Sequence, residues 1–82
     1  MNRQEILDKI IEIGKELFEN DDLVLTDETV AADVEGWDSL AHLQFVGQIE
    51  SEFKIKFTMG EVQGFKNVGE LLDTMEKRLS AK

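Results

Sequence analysis

Apolar residues return at helical spacing in four stretches of the chain, and each stretch opens on a capping signal. In the first, Ile6, Ile10, Ile13 and Leu17 form a stripe that Leu7, Ile11 and Phe18 widen, with Lys9, Glu12, Lys15, Glu16 and Glu19 opposite. Asn2 followed three positions later by Glu5 is a capping-box variant, so the pattern predicts a helix over about 3–19. Gly14 inside it costs up to about 1 kcal/mol relative to alanine, which marks a site of close packing. The second stretch follows Asp38, a good N-cap, and predicts a helix over 39–53 that buries Leu40, Phe45, Val46, Ile49 and Phe53, with Leu43 and Gly47 at its edge. Thr58 with Glu61 opens a short third helix over 59–65, and Gly60 and Gly64 should make it the most mobile element. Asn67 with Glu70 opens the last, over 68–79, with Val68, Leu71, Leu72, Met75 and Leu79 inward and Lys77 and Arg78 suited to its C-terminal end. Ser80-Ala81-Lys82 reads as a frayed tail. The expected fold is all-α: a small four-helix bundle of three main helices and one short one, a single domain over 1–82.

Between the first two helices lies a long acidic connection over residues 20–37, with Leu23, Leu25, Val30 and Val34 as apolar anchors. Its carboxylates invite a calcium reading, but from Asp33 the glycine falls at loop position four instead of six. Gln44 stands at position twelve, where an EF-hand needs a bidentate glutamate. There is no cysteine and only one histidine, so a typical zinc site is not expected, and no metal ligands are assigned. The polar N-terminus has no apolar signal core and no run is long enough to span a membrane, which suggests a soluble cytoplasmic protein with no membrane insertion.

The net charge of −9 is unevenly spread. Residues 16–53 hold eleven Asp or Glu and no Lys or Arg, whereas six basic and four acidic residues follow from Lys54 onward. A one-signed face repels nucleic acid and anionic lipid and attracts basic protein surfaces; a merely solvated acidic face is the plain alternative. No catalytic set is visible. Ser39 lacks a histidine-plus-acid system, and the surrounding residues lack the Gly-x-Ser-x-Gly elbow of α/β-hydrolases. His42, three positions on, is expected to be solvated, with an influence on docking through its charge near neutral pH.

The stretch Gly36-Trp37-Asp38-Ser39-Leu40 puts a serine at the first helical position, where free N–H groups and the macrodipole favour an anion. Ordinary capping chemistry accounts for Asp-Ser equally well. With the Glu50-Ser51-Glu52-Phe53 helix end, Ile55-Lys56-Phe57 and the 65–71 segment Phe-Lys-Asn-Val-Gly-Glu-Leu, however, the chain resembles acyl carrier proteins from about Val30 to Leu79. That resemblance implies that Ser39 receives 4′-phosphopantetheine from coenzyme A, that Asp38 helps the loading enzyme engage, and that the arm's thiol holds an acyl group as a thioester. It implies no catalysis by the chain itself. The partners it implies are a phosphopantetheinyl transferase, an acyl-activating ligase or synthetase, and acyltransferases or synthases with basic docking surfaces. They would meet Leu40, Leu43, Gln44, Gly47, Glu50 and Val62, although rim packing explains Leu43 as well.

The departures from the family pattern point to a specialised, monomeric, stand-alone carrier. Ala41 replaces the usual acid, Gly47 a large side chain, and Lys54 and Lys56 precede a short helix diluted by Gly60, Gln63 and Gly64. Gly-Trp-Asp-Ser-Leu is similar to carriers paired with acyl-activating ligases, in lipid or other acyl-transfer pathways. An aminoacyl (such as D-alanyl) or peptidyl carrier, and a non-carrier acidic adaptor, remain alternatives.

Overall fold

The structure, a computed structural model, describes residues 2–80. Four helices are present: α1 (Arg3–Leu17), α2 (Ser39–Phe53), α3 (Met59–Gly64) and α4 (Val68–Ser80). Ala81 and Lys82 of the expected tail lie outside the described residues. α1 packs against both α2 and α4. The centre of the bundle is filled by Phe45, Ile6, Ile10, Ile49, Leu71, Leu72, Met75 and Val68, which are fully buried.

The sequence signals act locally as expected. Asn2 accepts the Glu5 N–H while Glu5 accepts the Asn2 N–H, each at 2.9 Å, so the capping box is closed. α1 stops two residues short of the expected end because Glu19 adopts φ 52°, which breaks the helical run. The Asn20 N–H then reaches the Lys15 carbonyl at 3.0 Å and the Glu19 N–H the Glu16 carbonyl at 3.3 Å, a Schellman closure built without glycine. α2 ends in the same way, on Lys54 at φ 57°. Thr58 and Glu61 form the expected box at the start of α3, and Asn67 accepts the Glu70 N–H at 2.9 Å at the start of α4.

The 18–38 connection is part of the core rather than a cover over it. Leu23, Leu25, Val34 and Trp37 are buried and Val30 is half-buried, with one 3-10 turn at Ala31–Asp33. Gly14 makes the close contact that its place in α1 suggests: a Cβ there would lie 2.6 Å from Leu23 Cδ2. At the other end of the connection, the carbonyls of Thr29 and Asp27 accept the Val68 and Gly69 N–H groups, both at 2.9 Å. They satisfy donors that the first turn of α4 cannot pair within the helix. Arg3 fastens the same corner, donating to Asp27 at 3.0 Å, Asp73 at 2.7 Å and the Gly69 carbonyl at 3.2 Å, and also to Glu76.

Leu40 is a correction. Expected on the buried side of α2, it is 66% exposed. At 3.6 residues per turn, the face defined by Phe45, Val46, Ile49 and Phe53 lies across the helix from position 40. On α1, similarly, Ile13 and Leu17 are only half-buried, while Gly14 takes the buried place between them.

α3 is too short to hold itself in place, and one of its fastenings is ionic. Arg78 donates to both carboxylate oxygens of Glu61, at 2.5 and 2.6 Å, and to the Lys56 carbonyl at 2.7 Å. The Thr58 N–H and then Arg78 hold the Glu61 carboxyl below its ordinary value, against an opposing contribution from desolvation. Stability from a depressed carboxyl is present above its ordinary pKa and is lost as pH falls through the lowered one. Acid titration followed by NMR should therefore show α3 amide shifts moving below about pH 4, and Glu61→Gln should flatten that response.

Two glycine substitutions should act in opposite directions in thermal unfolding. Gly47 faces open space in mid-helix, so Gly47→Ala should stabilise the fold by ~0.5–1 kcal/mol. A Cβ at Gly69 would press on the Asp27 carbonyl at 3.0 Å, so Gly69→Ala should destabilise it by ~1–3 kcal/mol.

Candidate functional site

Gly36 turns the chain at φ +88°, a conformation that disfavours side chains, and so delivers Trp37 into the core. Trp37 is only 9% exposed; its ring meets Phe45 edge-on at 5.3 Å and Phe18 at 5.7 Å. The next residue, Asp38, is extended, and its carboxylate accepts the Ala41 N–H at 2.8 Å while its carbonyl accepts the His42 N–H at 2.8 Å. Ser39 is thus the first residue of α2, exposed, with its position fixed by a buried ring two residues before it. The N–H groups of Ser39 and Leu40 belong to the first helical turn and lie outside the Asp38 cap, at the positive end of the helix.

Beside Ser39 opens a cavity of about 630 Å³ between α2, α3 and the start of α4. Its apolar lining comes from Ala31, Trp37, Leu43, Val62, Phe65, Val68 and Leu71. Asp38, Ser39, His42, Gln63, Lys66 and Asn67 supply the polar part.

His42 is not the solvated side chain expected from sequence. The Trp37 indole N–H donates to His42 Nδ1 at 3.1 Å, and His42 Nε2 lies 2.9 Å from the Val62 carbonyl. An indole only donates and a carbonyl only accepts, so both bonds form with one arrangement: neutral imidazole with its proton on Nε2. The rings also stack, 5.9 Å apart at 25°. No local pattern foretold this, because the partner carbonyl is 20 residues away.

The other residues expected to meet partners separate into two groups. Leu40, Leu43, Gln44 and Gly47 are exposed and, spaced at i, i+3, i+4 and i+7, share one ridge of α2; Leu43 is 51% exposed and also touches the cavity. Glu50 is half-buried, and its carboxylate accepts the Phe57 N–H at 2.7 Å, which fastens the turn after α2. Val62, only 8% exposed, belongs to the cavity wall instead of the outer surface. Phe65, Val68 and Leu71 were legible as apolar positions, but nothing in their spacing announced a shared cavity with Ser39.

Comparison with known proteins gives the family. The family model described as a phosphopantetheine attachment site matches residues 8–75. An acyl carrier protein of Thermotoga maritima is 32% identical over 78 residues, spanning 95% of this chain and 96% of that protein. The solution NMR structure of a holo acyl carrier protein from Geobacter metallireducens matches with a TM-score of 0.85 at 43% identity, over 93% of this chain and 87% of that one. The class is that of small all-helical carrier domains, and the chain belongs to the acyl carrier protein family, whose cofactor is covalently attached 4′-phosphopantetheine.

The residues present fit that group. Ser39 is exposed, the helix end favours an added negative charge by ~0.3–1 kcal/mol, and a largely apolar cavity lies beside it. Asp38→Ala should lower stability by ~0.5–2 kcal/mol in denaturant unfolding, through the lost cap on Ala41, and Asp38→Asn by less.

Proposed function

We propose that the chain carries an acyl group on a 4′-phosphopantetheine arm joined to Ser39. The observation that supports this most directly is the placement of an exposed Ser39 at the N-terminus of α2 and at the mouth of the cavity lined by Val62, Phe65 and Leu71. When bound, the group supplies a terminal thiol that holds the cargo as a thioester.

The chain contributes position. Ser39 Oγ would give its proton to a base and bond the phosphorus that carries pantetheine, as the phosphoanhydride bond of coenzyme A breaks and adenosine 3′,5′-bisphosphate leaves. No base stands ready for this step: the carboxylate of Asp38 caps Ala41, and His42 is engaged with Trp37 and Val62. The transferase must therefore bring the base and the metal. Asp38 holds the helix end that the transferase grips. The α2 ridge of Leu40, Leu43, Gln44 and Gly47 is the surface presented to partner enzymes, with acidic surroundings that attract basic ones.

The reading is of a monomeric, cytoplasmic, stand-alone carrier, one domain over 1–82, that serves an acyl-activating ligase and acyltransferases in a lipid or specialised acyl-transfer pathway. Ala41, Gly47, Lys54 and Lys56 support a specialised role over bulk fatty acid synthesis. The apolar cavity wall favours an acyl over an aminoacyl cargo. No described helix is long and apolar enough to cross a membrane.

Incubation with coenzyme A, magnesium and a broad-specificity phosphopantetheinyl transferase should add one phosphopantetheine to the intact mass, and Ser39→Ala should abolish the increment. A folded chain that stays unmodified while a control carrier is loaded in parallel would overturn the attachment.

A further inference from the structure

α3 has six residues, two of them glycine, and almost no stability of its own. Its last four carbonyls have no donor within the helix. The Val62 carbonyl is one of these, because Lys66 N–H, the donor that a longer helix would supply, is bound to Glu70 at 3.1 Å. His42 fills the vacancy from across the cavity, while Trp37 holds the imidazole by its other nitrogen. The same two rings line the cavity beside Ser39. The tie therefore joins three things: the core through Trp37, the attachment helix through His42, and the far wall through Val62.

We propose that Trp37 and His42 are positioning residues which cap α3 from α2, set the width of the cavity beside Ser39, and release α3 when His42 is protonated. Neutral His42 makes both bonds; an imidazolium can still donate to Val62 but presents Nδ1–H to the indole N–H, two donors face to face. Acid thus favours the open joint. The charged residues sharing the cavity are Asp38, from the α2 cap, and Lys66, from the α3–α4 link. On α3 itself, Glu61 is held by Arg78 and by the Thr58 N–H. None of these can substitute for the neutral imidazole between a donor and an acceptor. The consequence for cargo rests on the proposed function: with the tie closed the cavity shelters the apolar chain of a thioester, and with it open that chain is exposed.

The chain has one tryptophan and one histidine, so the tie carries its own reporter. Between about pH 8 and about pH 5 the unmodified protein should change its tryptophan emission. Over the same interval, exchange at the Val62 amide, corrected for its intrinsic rate, should accelerate by about tenfold, the loss of one net hydrogen bond. His42→Gln offers an acceptor and a donor without titrating, and should keep protection at both ends of the interval. His42→Leu should lose it throughout, while the amides of α1 stay protected. Val62 exchange that follows the same pH course in His42→Gln, or that is unchanged in His42→Leu, would overturn the tie.

On protein loaded from octanoyl- and acetyl-coenzyme A, hydroxylamine should cleave the octanoyl thioester faster in His42→Leu than in the native chain and the acetyl thioester equally in both. Equal octanoyl rates would overturn the role in sheltering cargo. Failure to load at all would instead count against Ser39 attachment and leave the exchange result standing.

Discussion

Trp37 seated against Phe45 and Phe18 is the contact on which the site depends. Phe45 is fully buried at the centre of α2, and Phe18 closes the end of α1, so the indole is held by both helices at once. Because Ser39 follows two residues later, its place at the head of α2 is set by core packing. The ring has a second duty through its N–H, which extends the influence of the core across His42 to α3.

Electrostatics act against compaction in a chain of this size. With a net charge of −9, self-repulsion opposes folding and is strongest at low salt. Arg3 answers it at one corner by gathering Asp27, Asp73 and Glu76, and its guanidinium is held more firmly protonated than an ordinary arginine, chiefly by Asp73 and Glu76. Arg78 does the same for Glu61 at the other end of the molecule. Both arginines staple elements distant in sequence, α1 to the connection and α4, and α4 to α3. Among the described residues no carboxylate is buried.

The long connection shows why a stretch without regular structure need not be loose. Its apolar residues complete the core, and its Asp27 and Thr29 carbonyls finish the first turn of α4. Gly14 and Gly69 are small for this reason: each leaves room for the connection to approach, one for a Leu23 side chain and one for the Asp27 backbone. Gly47 has no such neighbour and lies on the exposed ridge of α2.

Local chemistry was legible from residues alone. Capping boxes at Asn2 and Thr58, the Asp38 cap, the helical stripes and the serine at the head of α2 each depend on groups within one turn, so the sequence by itself determined the four helices and the Asp-Ser-Leu start of α2. The end of α1 was less legible, because a non-glycine residue, Glu19, took the left-handed conformation there. Which way a face points, and what meets across the bundle, belongs to the tertiary structure. Leu40 looked like core in a list of apolar positions and is exposed, because the angular phase of α2 is fixed by the burial of Phe45 and Ile49 and by packing on α1. His42 looked solvated and is engaged at both nitrogens, because its partner on α3 comes near only after the chain has turned back at Lys54. Spacing along a chain fixes hydrogen bonds within a turn; a cavity and its tie need two surfaces, and only folding brings them together.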